Sequence, residues 1–548
     1  MTGRKKWIRR LVAAAAVLVV VIALVACGGQ DEGEPPAGEP AQGGTESSSD
    51  PATPAAGEPQ YGGTLRVIWD ISADTKQQFG VPSLATRAPN VICVPCYEGL
   101  LIETTFGDYE PWLAEEYTAF PDKGEVVFKI RKGVKFHDGT DMTPEVVAWN
   151  INRVIEEGKQ DKNYLRAEVR GEDEVVLFME NYMNSYEGFM ASKWLAIISK
   201  DSFDQYGPEE AQNHPVGTGP FKVDEINPGQ NVKFVKFEDY WQEGKPYLDA
   251  VEYVEITDLN TQKTALTSAT GDQAVDVLYC SNVQQASALE ALDGIHLEKR
   301  PGGPLALYPD SMNKDSPLSN QKVREAISMA LDRDALMAAQ GFGVNTPAYQ
   351  YVPEGFPAHL PESENAPGFD LEKAKALLAE AGYPDGFEVL LWTGSATPGI
   401  SKDTNEAMAT MLRALGLTVK TEYLTNAEKN DREMTGYEGL LASTIRPLPV
   451  IMTTYRMKGW DPEFLYYPSL WRPLDQTQQL YEDAWHTETV DTEMVQELHR
   501  IMLQNMTHIP VYDTYDVFAV KETVHDGFFA DYGLGTVWRP DLCWKEQQ

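Results

Sequence analysis

Four short motifs place chemically capable residues side by side. Cys93-Val94-Pro95-Cys96 has the spacing of a redox pair or of half a zinc site. A zinc site needs two more ligands, and neither a second such pair nor a clustered histidine pair occurs, so Cys93, Cys96, Cys280 and Cys543 read as structural disulfide partners or buried thiols. His137 beside Asp138 offers an acid-base or metal pair, yet Asp-Gly after a β-like run is ordinary turn chemistry. Pro215-Val216-Gly217-Thr218-Gly219-Pro220 has the glycines of a phosphate cradle. No Lys-Ser/Thr follows it and Pro220 removes an amide donor, which leaves a rigid crossover. Ser311 and Lys314 form a Ser-x-x-Lys pair without the companion motifs of acyl-transferring enzymes, and chance accounts for it. The eight histidines are scattered, and no Gly-x-Ser-x-Gly, Walker A loop or His-Glu-x-x-His is present. The reading is therefore not an enzyme, with no catalytic residue, metal or cofactor.

Cys27 is a different matter. Arg4, Lys5, Lys6, Arg9 and Arg10 form a basic head before an apolar run of sixteen residues, Leu11 to Ala26, which ends in Leu24-Val25-Ala26-Cys27-Gly28. At about 1.5 Å per residue the run makes about 24 Å of helix, short of the roughly 30 Å hydrocarbon core, so residues 1–26 read as a cleaved secretory signal. The ending resembles a bacterial lipobox. In that reading Cys27 is lipid-modified, since a thiolate is a good nucleophile toward a lipid donor, and becomes the mature N-terminus.

Composition bounds the rest. The chain has 548 residues, 42% hydrophobic and 10% aromatic, with 46 Lys+Arg against 83 Asp+Glu and a net charge of -37. That is core enough for several units and excludes full-length disorder. Loss of residues 1–26 removes five bases and no acids and takes the charge to -42. Nucleic-acid binding draws most of its affinity from cations on phosphates, so this balance excludes it. Residues 27–60 continue as a linker whose last 33 residues hold seven acids, no base and only alanine as an aliphatic side chain. They form no core; they read as a disordered tether of roughly 30 Å end-to-end distance. The protein is expected outside the cytoplasmic membrane, anchored by lipid, in the periplasm or on the outer face of the cell membrane.

From Tyr61 the texture becomes that of a folded α/β body. Thr64–Trp69, Glu125–Ile130, Val175–Met179, Phe387–Trp392, Leu417–Tyr423 and Glu438–Ala442 read as strands. Thr143-Pro144-Glu145 opens a helix with a cap, a proline at its first position and an acid in its first turn. Val147, Ile151 and Val154 give that helix one apolar face. A single helix is expected over Asn320–Met337, and another after Asp370 that ends at Gly382.

Motifs in a fixed order then carry a resemblance. Tyr61-Gly62-Gly63-Thr64-Leu65-Arg66-Val67, Tyr97-Glu98-Gly99-Leu100-Leu101, Phe128 to Gly139 and His214 to Phe221 come first. Asp239-Tyr240-Trp241 with Gly244 to Asp249, Val323-Arg324-Glu325-Ala326-Ile327 with Asp332-Arg333, and Ala374 to Gly382 with Tyr383-Pro384-Asp385-Gly386 follow. Together they resemble family 5 extracellular solute-binding proteins, the oligopeptide-, dipeptide- and nickel-binding receptors of ABC importers. The resemblance implies a two-lobed periplasmic-binding-protein-like fold of class II, cluster C type, with an extra subdomain inserted in the first lobe. The expected divisions are lobe I at 61–96, 214–303 and 518–548, the inserted subdomain at 97–213, and lobe II at 304–517. Gly302-Gly303-Pro304 suits a crossing between lobes. A monomer is expected that captures a solute between closing lobes and passes it to a permease and ATPase complex; a sensor without transport is the alternative.

The solute is read from departures. Peptide-binding relatives carry a tryptophan and then a carboxylate, which anchors the ligand's α-amino group, after a second-lobe strand. Here Tyr437 to Ser443 is followed by Thr444-Ile445-Arg446-Pro447, with neither residue. Arg446 suits a carboxylate-, phosphate- or hydroxyl-bearing ligand, while Trp69, Trp392, Trp460 and Trp538 are stacking candidates at strand ends and loops. An oligosaccharide or other uncharged solute is thus expected ahead of a peptide, with a metal chelate third.

Overall fold

The computed structural model describes the chain from Gly57 to Glu546, apart from residues 70–79, 85–91, 93, 105–107, 159–161, 193–194, 357, 396, 398, 436–437, 445–478, 481–482, 485, 490 and 528–538. Cys27 and the acidic tether up to residue 56 lie outside the described residues, as do Arg446, Trp460 and Trp538.

Thr64–Ile68 starts the fold. It pairs in parallel with Ala250–Val254 on one side and Val277–Tyr279 on the other. Parallel strands are covered on both faces, and the side chains divide accordingly. Leu65 and Val67 pack with Phe221, Phe234 and Tyr253, whereas Ile68 and Leu278 pack with Ala265, Leu266 and Ala286. A second parallel group, Glu388–Gly394, Thr418–Leu424 and Leu440–Thr444, repeats the design. One of its faces is buried by the helices Gln321–Ala330, Arg333–Gln340, Leu371–Glu380 and Lys402–Leu415.

Two long antiparallel strands join the two groups into one eleven-stranded sheet. The first crossing strand, Ile295–Pro309, runs beside the second, Ile509–Lys521, from Ile295↔Lys521 to Leu307↔Ile509. Their Val517–Val520 end packs into the first group's two clusters, and Leu305, Leu307, Ile509 and Val511 pack into the second group's. Register shifts fall at Pro301/Gly303, between the two packed ends, and at Leu305/Ala306, inside the second. Bulges there increase local twist and bend the strand pair.

Between Tyr97 and His214 the chain builds a separate four-stranded antiparallel sheet, Ala114–Phe120, Glu125–Ile130, Glu174–Met179 and Tyr164–Arg170, in the order 114–120, 125–130, 174–179, 164–170. The helix Pro144–Glu156 lays Val147, Ile151 and Val154 on its own core. Thr143 caps that helix through Val146 N, as its position before Pro144 predicts.

One expected helix is two. Residues 320–337 divide into Gln321–Ala330 and Arg333–Gln340 because Asp332 leaves helical geometry and accepts a hydrogen bond from Ala335 N. A short carboxylate that can cap a new helix competes with continuing the old one. Arg324 and Arg333 use the break. Arg324 donates to the carbonyls of Met506, Asn505, Leu318 and Ser319, and Arg333, wholly buried, donates to Pro510 O, Ser328 O and Ser328 Oγ. These two arginines tie both helices to the turn that launches the second crossing strand.

Candidate functional site

The motifs that invited chemistry have structural work. Asp138 Oδ1 accepts from Thr140 N and Oγ1 and closes the turn at Gly139, whose φ is +85°. His137 Nε2 lies 2.9 Å from Gly219 O and Nδ1 accepts from Gly217 N at 3.4 Å, which binds the inserted subdomain to the 215–220 crossover. Burial pushes the His137 imidazole down to about 4, so it is neutral at pH 7. A Cβ at Gly217 would lie 2.0 Å from Cys96 O, so the glycine is there for close backbone approach rather than for phosphate. Cys96, Cys280 and Cys543 are buried, and Lys314 of the Ser-x-x-Lys pair is exposed.

Glu98 accepts hydrogen bonds from four side chains. Trp112 Nε1 and Tyr240 OH donate to Oε1 at 2.8 Å each, and Thr218 Oγ1 and Trp241 Nε1 donate to Oε2 at 2.7 and 3.1 Å. Trp112 belongs to the inserted subdomain and the other three donors follow it in the chain, so one side chain rivets the insert to the first sheet group. Burial outweighs those donors and raises the carboxyl to about 7.

The joint between the sheet groups carries a second polar set. Trp69 follows the strand Thr64–Ile68, and its ring lies 4.3 Å from that of Tyr279 and 5.6 Å from that of Phe518. Tyr279 OH donates to Asp516 Oδ1 at 3.1 Å, and Arg300 Nη2 donates to Asp516 Oδ2 at 2.5 Å. Further along, Thr514 Oγ1 donates to Gly303 O at 2.7 Å. A Cβ at Gly302 would sit 2.8 Å from that hydroxyl, and one at Gly399 2.5 Å from Thr514 Cγ2. Both glycines let the loop after Glu388–Gly394 and the first crossing strand close on Thr514. Asp513 stands between Tyr512 and Thr514 with a buried Oδ1 that has no hydrogen-bond partner among the described residues, and burial pushes its carboxyl up to about 7.

Of the expected ligand-contacting residues, Trp69 and Trp392 are described, and they are not brought together. Trp392 lies in the other sheet group with 0% exposure, among Tyr308, Tyr351, Leu441 and Met502. Its Nε1 donates to Glu438 O at 3.1 Å and the Arg432 guanidinium sits 5.2 Å over its ring. Sequence reading missed Tyr279, Arg300, Asp513 and Asp516. The signal for Asp513 and Asp516 is the run Tyr512-Asp513-Thr514-Tyr515-Asp516, polar inside an otherwise apolar strand. Among the described residues no group of three or more His, Cys, Asp or Glu is arranged to hold a metal.

Two α/β halves, joined by a pair of crossing strands with polar and aromatic side chains at the joint, define a two-lobed binding-protein fold. The family of bacterial extracellular solute-binding proteins, family 5, matches residues 108–468 through its middle region, and the chain belongs to it. Glutathione-binding protein GsiB of Escherichia coli (strain K12) is 34% identical over 288 residues, 51% of this chain and 54% of that protein. The chain spans about half the length of the curated relatives it matches. Among solved structures, AgaA from A. tumefacien R10 in complex with agropinic acid superposes with a TM-score of 0.70 at 25% identity, covering 89% of this chain and 99% of that one. DppA from Helicobacter pylori, in complex with the peptide STSA, gives a TM-score of 0.70 at 21% identity over 89% and 99% of the two chains. Among the described residues no helix is long and apolar enough to cross a membrane.

Proposed function

We propose that this protein is the solute receptor of an ABC importer, held outside the membrane by a lipid on Cys27, and that its solute is a short peptide or amino-acid conjugate carrying an ammonium group. The lobes are taken as 61–96, 214–303 and 518–548 against 304–517, with 97–213 inserted in the first. The observation that carries the solute class is Asp513. A carboxylate oxygen buried without a partner is costly, and a desolvated ammonium is a partner that relieves it. Asp513 stands on the second crossing strand, opposite Pro304 of the first and three residues from Asp516. Trp69, packed on Tyr279 whose hydroxyl meets Asp516 of the same strand, is proposed as an aromatic face for the solute. Among the relatives' named ligands, glutathione and a peptide are of this kind. Glutathione and a peptide give no support to the expectation of an oligosaccharide, which gives way to the peptide alternative. Arg446 remains proposed as a carboxylate partner, and Trp460 and Trp538 as stacking residues. A thermal-shift screen tests the reading. A ligand bound by the folded state alone raises the melting temperature, and the rise is expected with peptides, glutathione or opines and not with neutral oligosaccharides.

A further inference from the structure

The inserted subdomain touches more than its own lobe. Tyr182 OH donates to Glu488 O at 2.9 Å, and Asn184 Nδ2 donates to Ala484 O at 2.8 Å and to Thr487 Oγ1 at 3.2 Å. His486 Nδ1 returns a hydrogen bond to Tyr182 O, so the clasp is reciprocal. It is also closed to water at its centre, with Tyr182, Asn184 and Ala484 buried at 5%, 3% and 2% exposure. Leu480 and Leu498 pack on the insert's own hydrophobic core.

Each side of this clasp is fixed to a different lobe. On the insert's side, the four donors to Glu98 and the His137 contacts with Gly217 and Gly219 make the subdomain one body with the first sheet group. On the other side, Leu498 lies on the helix Thr492–Gln504, whose Met502 and Leu503 pack with Trp392 and Tyr308 of the second group. Arg500 of that helix pairs with Glu364, and Gln496 Nε2 donates to His359 O at 3.2 Å. Among the described residues, the strand pair with its register shifts joins the two anchored sides. A rotation at Arg300–Gly303 and Thr514–Asp516 would pull Ala484 and Thr487 away from Asn184.

We infer that Tyr182 and Asn184 of the insert, with Ala484, His486, Thr487 and Glu488, form an interlobe latch that holds the closed state. The latch sets how much closed protein exists before solute arrives, and so the apparent affinity, without touching solute. It holds whichever solute the cleft takes.

The test uses the full chain without solute. In Asn184→Cys/Thr487→Cys, a short bifunctional thiol reagent should join the two positions within one molecule, seen as a cross-linked tryptic pair. Small-angle scattering should then give the cross-linked protein the smallest radius of gyration of the set. Asn184→Ala, which keeps the fold's core, should be more expanded than wild type, with its far-ultraviolet circular dichroism unchanged. Failure to cross-link, or equal radii for cross-linked, wild-type and Asn184→Ala protein, overturns the latch. Loss of solute binding alone would not bear on it, because no solute is present in the measurement.

Discussion

Arg300 and Asp516 face each other across the two crossing strands as a register pair, and their side chains meet at 2.5 Å where the chain passes from one lobe to the other. The pair is about nine-tenths and five-sixths buried, with side-chain exposures of 10% and 16%, and Asp516 also takes the Tyr279 hydroxyl. A charge left without its partner at such burial costs more than the pair contributes. Arg300→Ala or Asp516→Ala is therefore expected to lose about 2 to 4 kcal/mol in urea unfolding, while Arg300→Met/Asp516→Leu recovers much of the loss. A double variant as weak as the sum of the single ones would contradict the pairing.

Stability against pH has two opposed contributions. Glu98 and Asp513 are raised to about 7, so between about pH 4.5 and 7 the folded state holds protons the unfolded chain has lost, and stability falls as pH rises. His137 and His499 are lowered to about 4 and His508 to about 3, so between those values and about 6.5 the unfolded chain holds the extra protons and stability rises with pH. The carboxyls of Glu187, Asp310 and Glu433 are also raised by burial and add to the first contribution. Glu98→Gln removes one group that favours the folded state at low pH. Its melting temperature should therefore rise more, or fall less, than that of wild type between about pH 4.5 and 7.

Arg333 makes its hydrogen bonds with 0% exposure, to Pro510 O, Ser328 O and Ser328 Oγ. Arg333→Met leaves those acceptors dry, and about 3 kcal/mol or more of stability should go with it. Arg333→Lys should rescue little, since a single ammonium cannot span the positions of a planar fork. Denaturant midpoints read both.

Trp69 and Trp392 should separate in function. Trp392→Phe removes the hydrogen bond to Glu438 O and part of a buried ring, and should lower the unfolding free energy by about 1 to 3 kcal/mol with solute affinity nearly unchanged. Trp69→Ala should do the reverse, weakening solute binding more than folding.

Cys27→Ala should leave the protein unprocessed or released from membranes, as fractionation would show; a processed form that stays on the membrane would contradict lipid anchoring.

Many strands and helices were legible in the sequence because strand and cap signals are local. Thr143 before Pro144, Asp370 before Leu371 and the apolar runs at 64–68 and 125–130 each state their element within a few residues. The crossing was half legible. Gly302-Gly303-Pro304 marks one strand, but nothing in Tyr512 to Asp516 says that it lies opposite, because that pairing spans over 200 residues. The site failed for a similar reason. A tryptophan at a strand end looks the same in sequence whether it faces a joint, as Trp69 does beside Tyr279, or fills a core, as Trp392 does. The polar run Tyr512 to Asp516 marks Asp513 only as a strand residue out of pattern, since the want of a partner is a property of the packed structure.

Calorimetric titration is the most direct test of the solute claim. Glutathione and a panel of short peptides, titrated into the purified protein, should include a ligand that binds one to one and saturates, weakened about tenfold or more in Asp513→Asn, while a neutral trisaccharide gives no saturable heat. Saturable binding of the sugar with none of the peptides, or a peptide affinity that Asp513→Asn leaves unchanged, would contradict the account.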